Sequence, residues 1–241
     1  MKIKKKLKEL LYYFFDTYVQ NNFYDLIEKK ISKKKNVNIF DVGCYKSNFS
    51  KSLKTAIKNN NKKFYLFDPN PNIVVDNFKV NKIALHSKNG YETFYLNSYF
   101  EPSGSSLKKI TKNDFWWNLS RKIFFGEING SFKPIIVKTL KLDTFCSNNK
   151  IEDIEVLKID TEGNEEEILK GGRKILNKTK IIQLEIMENK KKFNKKFNRI
   201  FKFLSDHNFE LIARKNIISV SVISGIRAED FLFLKKQKIK Y

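Results

Sequence analysis

From residue 37 onward the chain is built of short, mostly apolar runs separated by stretches of helical period, and several of the runs end on an acidic residue. A sheet with one wet face needs strict alternation, whereas near-continuous apolar strands are buried on both faces and belong to parallel sheets flanked by helices. The spacing predicts strands at 37–41, 63–68, 80–86, 91–96, 135–140, 154–160 and 180–186, with two more near the C-terminus at 210–213 and 231–235. Helices are predicted at 49–58, 165–176 and 192–207. The expected fold is therefore α/β: a mostly parallel, twisted sheet with helices on both faces. Residues 102–133 follow neither period and read as a long loop or lid over a site, carrying Ser103-Gly104-Ser105-Ser106 and Trp116-Trp117.

Ahead of this pattern, residues 7–31 place Leu7, Leu10, Leu11, Phe14, Phe15, Tyr18, Val19, Phe23, Leu26 and Ile27 at three- and four-residue spacing, which predicts an amphipathic helix. The chain thus divides into a basic helical extension over 1–35 and a domain over 36–241, whose length is enough for a core without staples. The extension holds ten Lys against four acids, so peripheral contact with an anionic membrane is one expectation and packing on the domain is the other. No run reaches the roughly 18 apolar residues of a membrane span. Cys44 and Cys146 form no framework and no CxxC or Cys/His cluster offers a metal site. With no secretory signal in view, a reducing cytoplasm is the expected location.

In an open parallel sheet, ligands sit beyond the carboxyl ends of the strands. Three such ends carry chemistry. Phe40-Asp41-Val42-Gly43-Cys44 puts an acid and then a glycine before a helix, where backbone approaches a ligand closely. Phe67-Asp68-Pro69-Asn70-Pro71 ends the next strand on a carboxylate, 27 residues after Asp41 by subtraction of the two numbers, about one strand–helix–strand unit. A carboxylate there accepts both protons of a ribose diol; alternatively Asp68 caps a following helix. Asp160-Thr161-Glu162-Gly163 ends a third strand on two acids two residues apart, placed to accept a proton or orient a hydroxyl. The rival reading makes the acids from Asp160 to Glu167 a solvent-facing, dipole-favoured helix start, which suits Glu165–Glu167 best.

Three strings together resemble one family: FDVGCYKSNFS at 40–50, FDPNP at 67–71, and TLKLDTF with IEVLKIDTEGNEEEILKGG and IIQLEI between 139 and 186. They resemble the FkbM-type methyltransferases, and the resemblance covers roughly residues 37–190. It implies the Rossmann-like class I methyltransferase fold and S-adenosyl-L-methionine as cofactor. It further implies that Asp41, Gly43, Cys44, Asp68, Asn70, Ala84, Leu85 and Asp160 hold the cofactor, and that Asp160, Glu162 and Glu185 face the reaction as catalytic carboxylates, with no metal. Two positions depart from the family pattern: Ser47 stands where a second glycine is usual, and Asp68 where Glu is usual.

Methyl transfer to an alcohol needs alignment of two centres and a base for the hydroxyl proton, which an acidic pair supplies. The expected reaction is O-methylation of a hydroxyl on a sugar, glycan or small metabolite. A net charge of +22, from 48 Lys+Arg and 26 Asp+Glu, raises a nucleic-acid (RNA) methyltransferase as the alternative. Two features argue against that partner. Residues 152–167 hold eight acids against Lys158 alone, and the Asp-Pro-Pro-aromatic pattern of amino-methylating enzymes is missing after Ile159. His86, at a strand end, is expected to be structural.

Overall fold

The computed structural model describes residues 23–31, 34–57, 61–97, 105–108, 132–216 and 226–236. Helix α1 (residues 23–31) leads into strand β1 (Asn36–Val42), followed by α2 (Asn48–Ala56) and β2 (Asn61–Phe67). Four strands come next: β3 (Val80–Asn81), β4 (Ala84–Leu85), β5 (Gly90–Asn97) and β6 (Phe132–Leu140). Then come α3 (Leu142–Asn148), β7 (Ile154–Ile159), α4 (Glu165–Gly171), a 3-10 turn (Ile175–Lys178) and β8 (Thr179–Asn189). The described chain closes with α5 (Lys190–Asp206), β9 (Phe209–Asn216) and β10 (Ile226–Lys235).

Seven strands form one sheet in the order β3-β2-β1-β7-β8-β10-β9, all parallel except β10, which runs antiparallel to both neighbours. This is a doubly wound Rossmann-like arrangement, with the order reversing between β1 and β7. Side chains alternate between the faces. Phe40, Val42, Leu157, Ile159, Ile182, Leu184 and Phe231 pack under α3, α4 and α5. Val37, Ile39, Val156, Ile181 and Leu232 pack under α1 and α2.

Helix α1 belongs to that second core. Phe23, Ile27 and Ile31 are buried against Ile39, Val156 and Leu53, and each fully buried aliphatic side chain stabilises the fold by about 1.5–3 kcal/mol. Lys34 pairs with Glu155 at 3.5 Å at the far end of the sheet. The apolar stripe of 23–31 is therefore used inside the domain, while residues 7–22 of the expected helix lie outside the described residues. Among the described residues no helix is long and apolar enough to cross a membrane.

Three expectations are corrected. The strand expected at 80–86 breaks at Lys82 and Ile83. Lys82 turns out to donate to the carbonyls of Asn70 and Ile73, and the Ile83 N–H bonds Asn81 O at 2.9 Å. Its two halves then join different sheets. The strands expected at 91–96 and 135–140 do not enter the main sheet; β4, β6 and β5 form a second, three-stranded sheet, with β5 antiparallel and β4 parallel to β6. The alternation in β6, with Pro134, Ile136 and Lys138 exposed and Val137 and Thr139 buried, is what a sheet with one wet face requires. The helix expected over 165–176 stops at Gly171, where a Cβ would lie 2.1 Å from His86 O, and continues as the 3-10 turn. Helix α3 was not expected; Asp143 in its first turn accepts from the backbone N–H groups of Lys174 and Ile175, joining α3 to that turn.

Candidate active site

A cleft with about 750 Å³ of empty space, its open mouth included, lies beyond the carboxyl ends of β1, β2 and β7. Its floor is Val42 and Gly43, one side carries Phe67, Asp68 and Pro69, and the other carries Asp160, Thr161, Glu162 and Asn164. Ile83, Ala84, Leu85 and Phe94 supply an apolar wall, and Ser105 with Leu107 closes over it.

The β1 end is built tightly. Gly43 has φ +78°, and a Cβ on it would lie 1.7 Å from the carbonyl oxygen of Asp160, so only glycine allows the two strand-end loops to touch. The Asp160 N–H donates to Val42 O at 2.9 Å, and the N–H groups of Gly43 and Cys44 donate to Phe67 O. Asp41 is fully buried below this floor. Its Oδ2 accepts the hydroxyls of Ser47 (3.0 Å) and Ser50 (2.8 Å), and its Oδ1 faces the Lys158 ammonium at 3.6 Å without a hydrogen bond. Ser47 adopts φ +55°, the left-handed conformation for which a second glycine would serve, and its hydroxyl gives Asp41 a donor that glycine lacks.

At the β2 end, Asp68 starts no helix. Its Oδ1 accepts from Asn70 N at 2.9 Å, closing an Asx turn, and its Oδ2 accepts from Tyr45 N at 3.3 Å. Each oxygen accepts one of these N–H groups and has capacity for another, and the residue lines the cleft. Burial pushes this carboxyl up, opposed by those two N–H groups and Lys82. Asn70 is buried and accepts from Asn72 N, so it shapes the turn and does not line the cleft. Cys44 also stays off the cleft; burial, then Asp41 and Asp68, push its thiol far up, leaving it an inert packing group.

The β7 end gathers the charges. Lys158 is buried on the α1/α2 face, two residues after Val156, with its ammonium 3.1 Å from Asp160 Oδ2 and 5.8 Å from the Phe49 ring centre. Burial alone would lower this ammonium, but Asp160 and Asp41 outweigh it and its pKa rises well above the ordinary value. The Asp160 side chain keeps 25% of its surface open and lines the cleft. Glu162, at φ +55°, also lines the cleft; burial, then Asp160 and Glu165, push its carboxyl up to about 8, against the pull of Lys196. Its carbonyl accepts the Ser106 hydroxyl at 2.9 Å, which ties the 105–108 segment to the acidic loop.

Glu165 departs from the solvent-facing expectation. It is fully buried, accepts from Gly163 N at 2.7 Å and from Thr161 Oγ1 at 3.3 Å, and pairs with the buried Lys196 of α5 at 2.7 Å. Glu166 pairs with Arg199, and Glu167 with Lys170 and Ser87. Asn164 donates to Leu85 O at 2.9 Å, fastening the loop to β4.

Glu185 stands behind the cleft lining, in register with Asp230 of β10. Burial first, then Asp160, Asp230 and Glu162, drive its carboxyl well above the ordinary range, with Lys158 opposing. Of the expected site residues, Gly43, Asp68, Ala84, Leu85, Asp160 and Glu162 line one cleft, while Asp41, Cys44, Asn70 and Glu185 lie beneath or behind it. Lys158 escaped the sequence reading, although a lysine two residues before Asp160 inside a buried strand must share its face and needs an acid. Phe94 and Leu107 gave no signal, because the second sheet brings them in. Trp116-Trp117 and Ser103-Gly104 lie outside the described residues. His86 is not on the cleft; its N–H continues the second sheet by bonding Leu140 O.

Against known proteins, the family model described as the methyltransferase FkbM domain matches residues 41–211. The 2-O-methyltransferase NoeI of Sinorhizobium fredii (strain NBRC 101917 / NGR234) is 25% identical over 164 residues, covering 61% of this chain and 62% of that relative's length. Among solved structures, precorrin-6y C5,15-methyltransferase from Geobacter metallireducens GS-15 aligns over 88% of this chain and 87% of its own, with TM-score 0.41 and 12% identity.

Proposed function

The chain belongs to the FkbM methyltransferase family, and from that premise we propose that it moves a methyl group from S-adenosyl-L-methionine to a hydroxyl of a glycan or small metabolite. The observation that carries this reading is one cleft that joins a carboxylate with spare lone pairs, Asp68, an apolar wall, and a pair of acids, Asp160 and Glu162. The residues fit the cofactor. Asp68 can accept from a ribose diol, Ile83, Ala84 and Leu85 offer a flat apolar surface for a purine, and the acids suit a cationic sulfonium. The relative's name as a 2-O-methyltransferase supports a hydroxyl acceptor.

Bound in this cleft, S-adenosyl-L-methionine would supply an electrophilic methyl whose C–S bond breaks as the new C–O bond forms. Glu162 takes the hydroxyl proton, since a carboxyl whose pKa is pushed up to about 8 is a better base than an ordinary one. Asp160, with one oxygen on Lys158, orients the hydroxyl and faces positive charge at the sulfur. Glu185, behind them, supports the negative potential without touching the cleft.

Isothermal calorimetry with S-adenosylhomocysteine, followed by transfer of labelled methyl from S-adenosyl-L-methionine to a panel of methyl glycosides, tests the reading. Saturable binding and label on a hydroxyl of at least one glycoside are expected. A folded chain that takes up no S-adenosylhomocysteine would sink it.

A further inference from the structure

The lysine at the centre of this acidic site reaches the reaction only through the carboxylates it holds. Lys158 is buried and does not line the cleft, so it touches neither a cofactor nor an acceptor lying there. It stands between two carboxylates of unequal setting. Below it, Asp41 is fully buried and braced by Ser47 and Ser50. Above it, Asp160 is partly open to the cleft. The Asp160 backbone is pinned from the other side by Val42 O and by the close approach of Gly43. With main chain and Oδ2 both held, the Asp160 carboxylate stands at the cleft wall in one orientation.

We propose that Lys158 is a positioning residue that divides labour between the two cleft carboxylates. Anchored on Asp41, its ammonium fixes Asp160 as an orienting acceptor and leaves Glu162 as the group that gives up and takes the proton. This rests on the proposed function above. The physical ground is that a carboxylate already hydrogen-bonded to a buried ammonium is a weak proton acceptor, whereas among the described residues no ammonium is hydrogen-bonded to Glu162. Among the described residues, the charged groups around Glu162 are Asp160 just after β7, Glu165 of α4 and Lys196 of α5, with Glu185 of β8 and Asp230 of β10 behind. Lys108, which packs on Gly163, is turned to Glu188 at 3.8 Å. Lys158 is the cation of this set that contacts Asp160.

The experiment needs no acceptor. Calorimetry of S-adenosyl-L-methionine binding in two buffers of different ionisation heat counts the protons released when a sulfonium enters. At about pH 8, the wild-type chain should release about half a proton, from Glu162, and E162Q should release almost none. In K158M, Asp160 loses its ammonium and joins the titrating pair, so the release should rise toward about one proton. S-adenosylhomocysteine affinity in K158M should stay within about threefold of wild type, because the ammonium is off the cleft wall. K158R should restore the wild-type proton count.

If K158M does not fold, K158M/D41N removes the acid left unpaired beneath the site and is read in the same way. A K158M or K158M/D41N chain with the wild-type proton count overturns the inference while leaving the methyltransferase reading intact. A wild-type chain that binds neither ligand overturns both.

Discussion

Two buried lysines flank the loop from Asp160 to Glu165, and they differ in what their carboxylates have left to give. Lys196 meets Glu165, whose oxygens are already taken by Gly163 N, Thr161 Oγ1 and the ammonium itself. Every polar atom is used on the protein, so this pair can only hold the loop in shape. Lys158 meets Asp41 and Asp160, and that cluster is unfinished: Asp41 Oδ1 lacks a hydrogen bond, and Asp160 keeps a quarter of its side chain open. One chemical pairing is a fastener where it is complete and a part of a site where it is not.

The largest expected effect separates the two lysines by stability. K196M strands Glu165 in the core and should cost about 3–5 kcal/mol. K158M should cost about 1–3 kcal/mol, since its hydrogen-bonded partner Asp160 reaches solvent and Asp41 Oδ1 already lacks a hydrogen bond to the ammonium. Urea unfolding of both variants checks the order, and equal losses would erase the distinction.

A second effect depends on pH. The Glu162 carboxyl rises from 4.5 to about 8 on folding. A raised pKa means the native state holds the proton longer, so this group's contribution to stability is complete below about 4.5 and is lost as pH climbs to about 8. The urea midpoint of E162Q should therefore gain on wild type steadily across that window and level off above it. A flat difference would show that folding does not raise the Glu162 carboxyl.

The smallest effect falls on the brace beneath Lys158. S47G relieves a left-handed serine, a gain of about 1 kcal/mol, and removes one hydrogen bond to Asp41, a loss of about 1 kcal/mol. Thermal melts should barely move. A large drop would mean that the Ser47 hydroxyl, and not the backbone, sets the first loop.

Much of this was legible because periodicity and strand ends are local signals. The acids and glycine at Asp41, Gly43, Asp68, Asp160 and Glu162 announce a site because each closes an apolar run. Glu165 read as an exposed helix-start acid because its partner, Lys196, lies 31 residues away on another helix. The run at 80–86 read as one strand because nothing in the run itself marks Lys82 as bonded to the carbonyls of a turn nine and twelve residues earlier.

The sequence by itself determined the parallel α/β class, the strands that bear the chemistry and most of the polar cleft wall, all of which follow from residue spacing along one strand or helix. Only the tertiary structure decided which acids face the cleft and which lie beneath it, that a second sheet brings Phe94 to the wall, and that one buried lysine pairs with a buried acid while the other reaches an acid on the cleft. Burial and charge pairing are properties of neighbours in space, and spacing along the chain does not carry them.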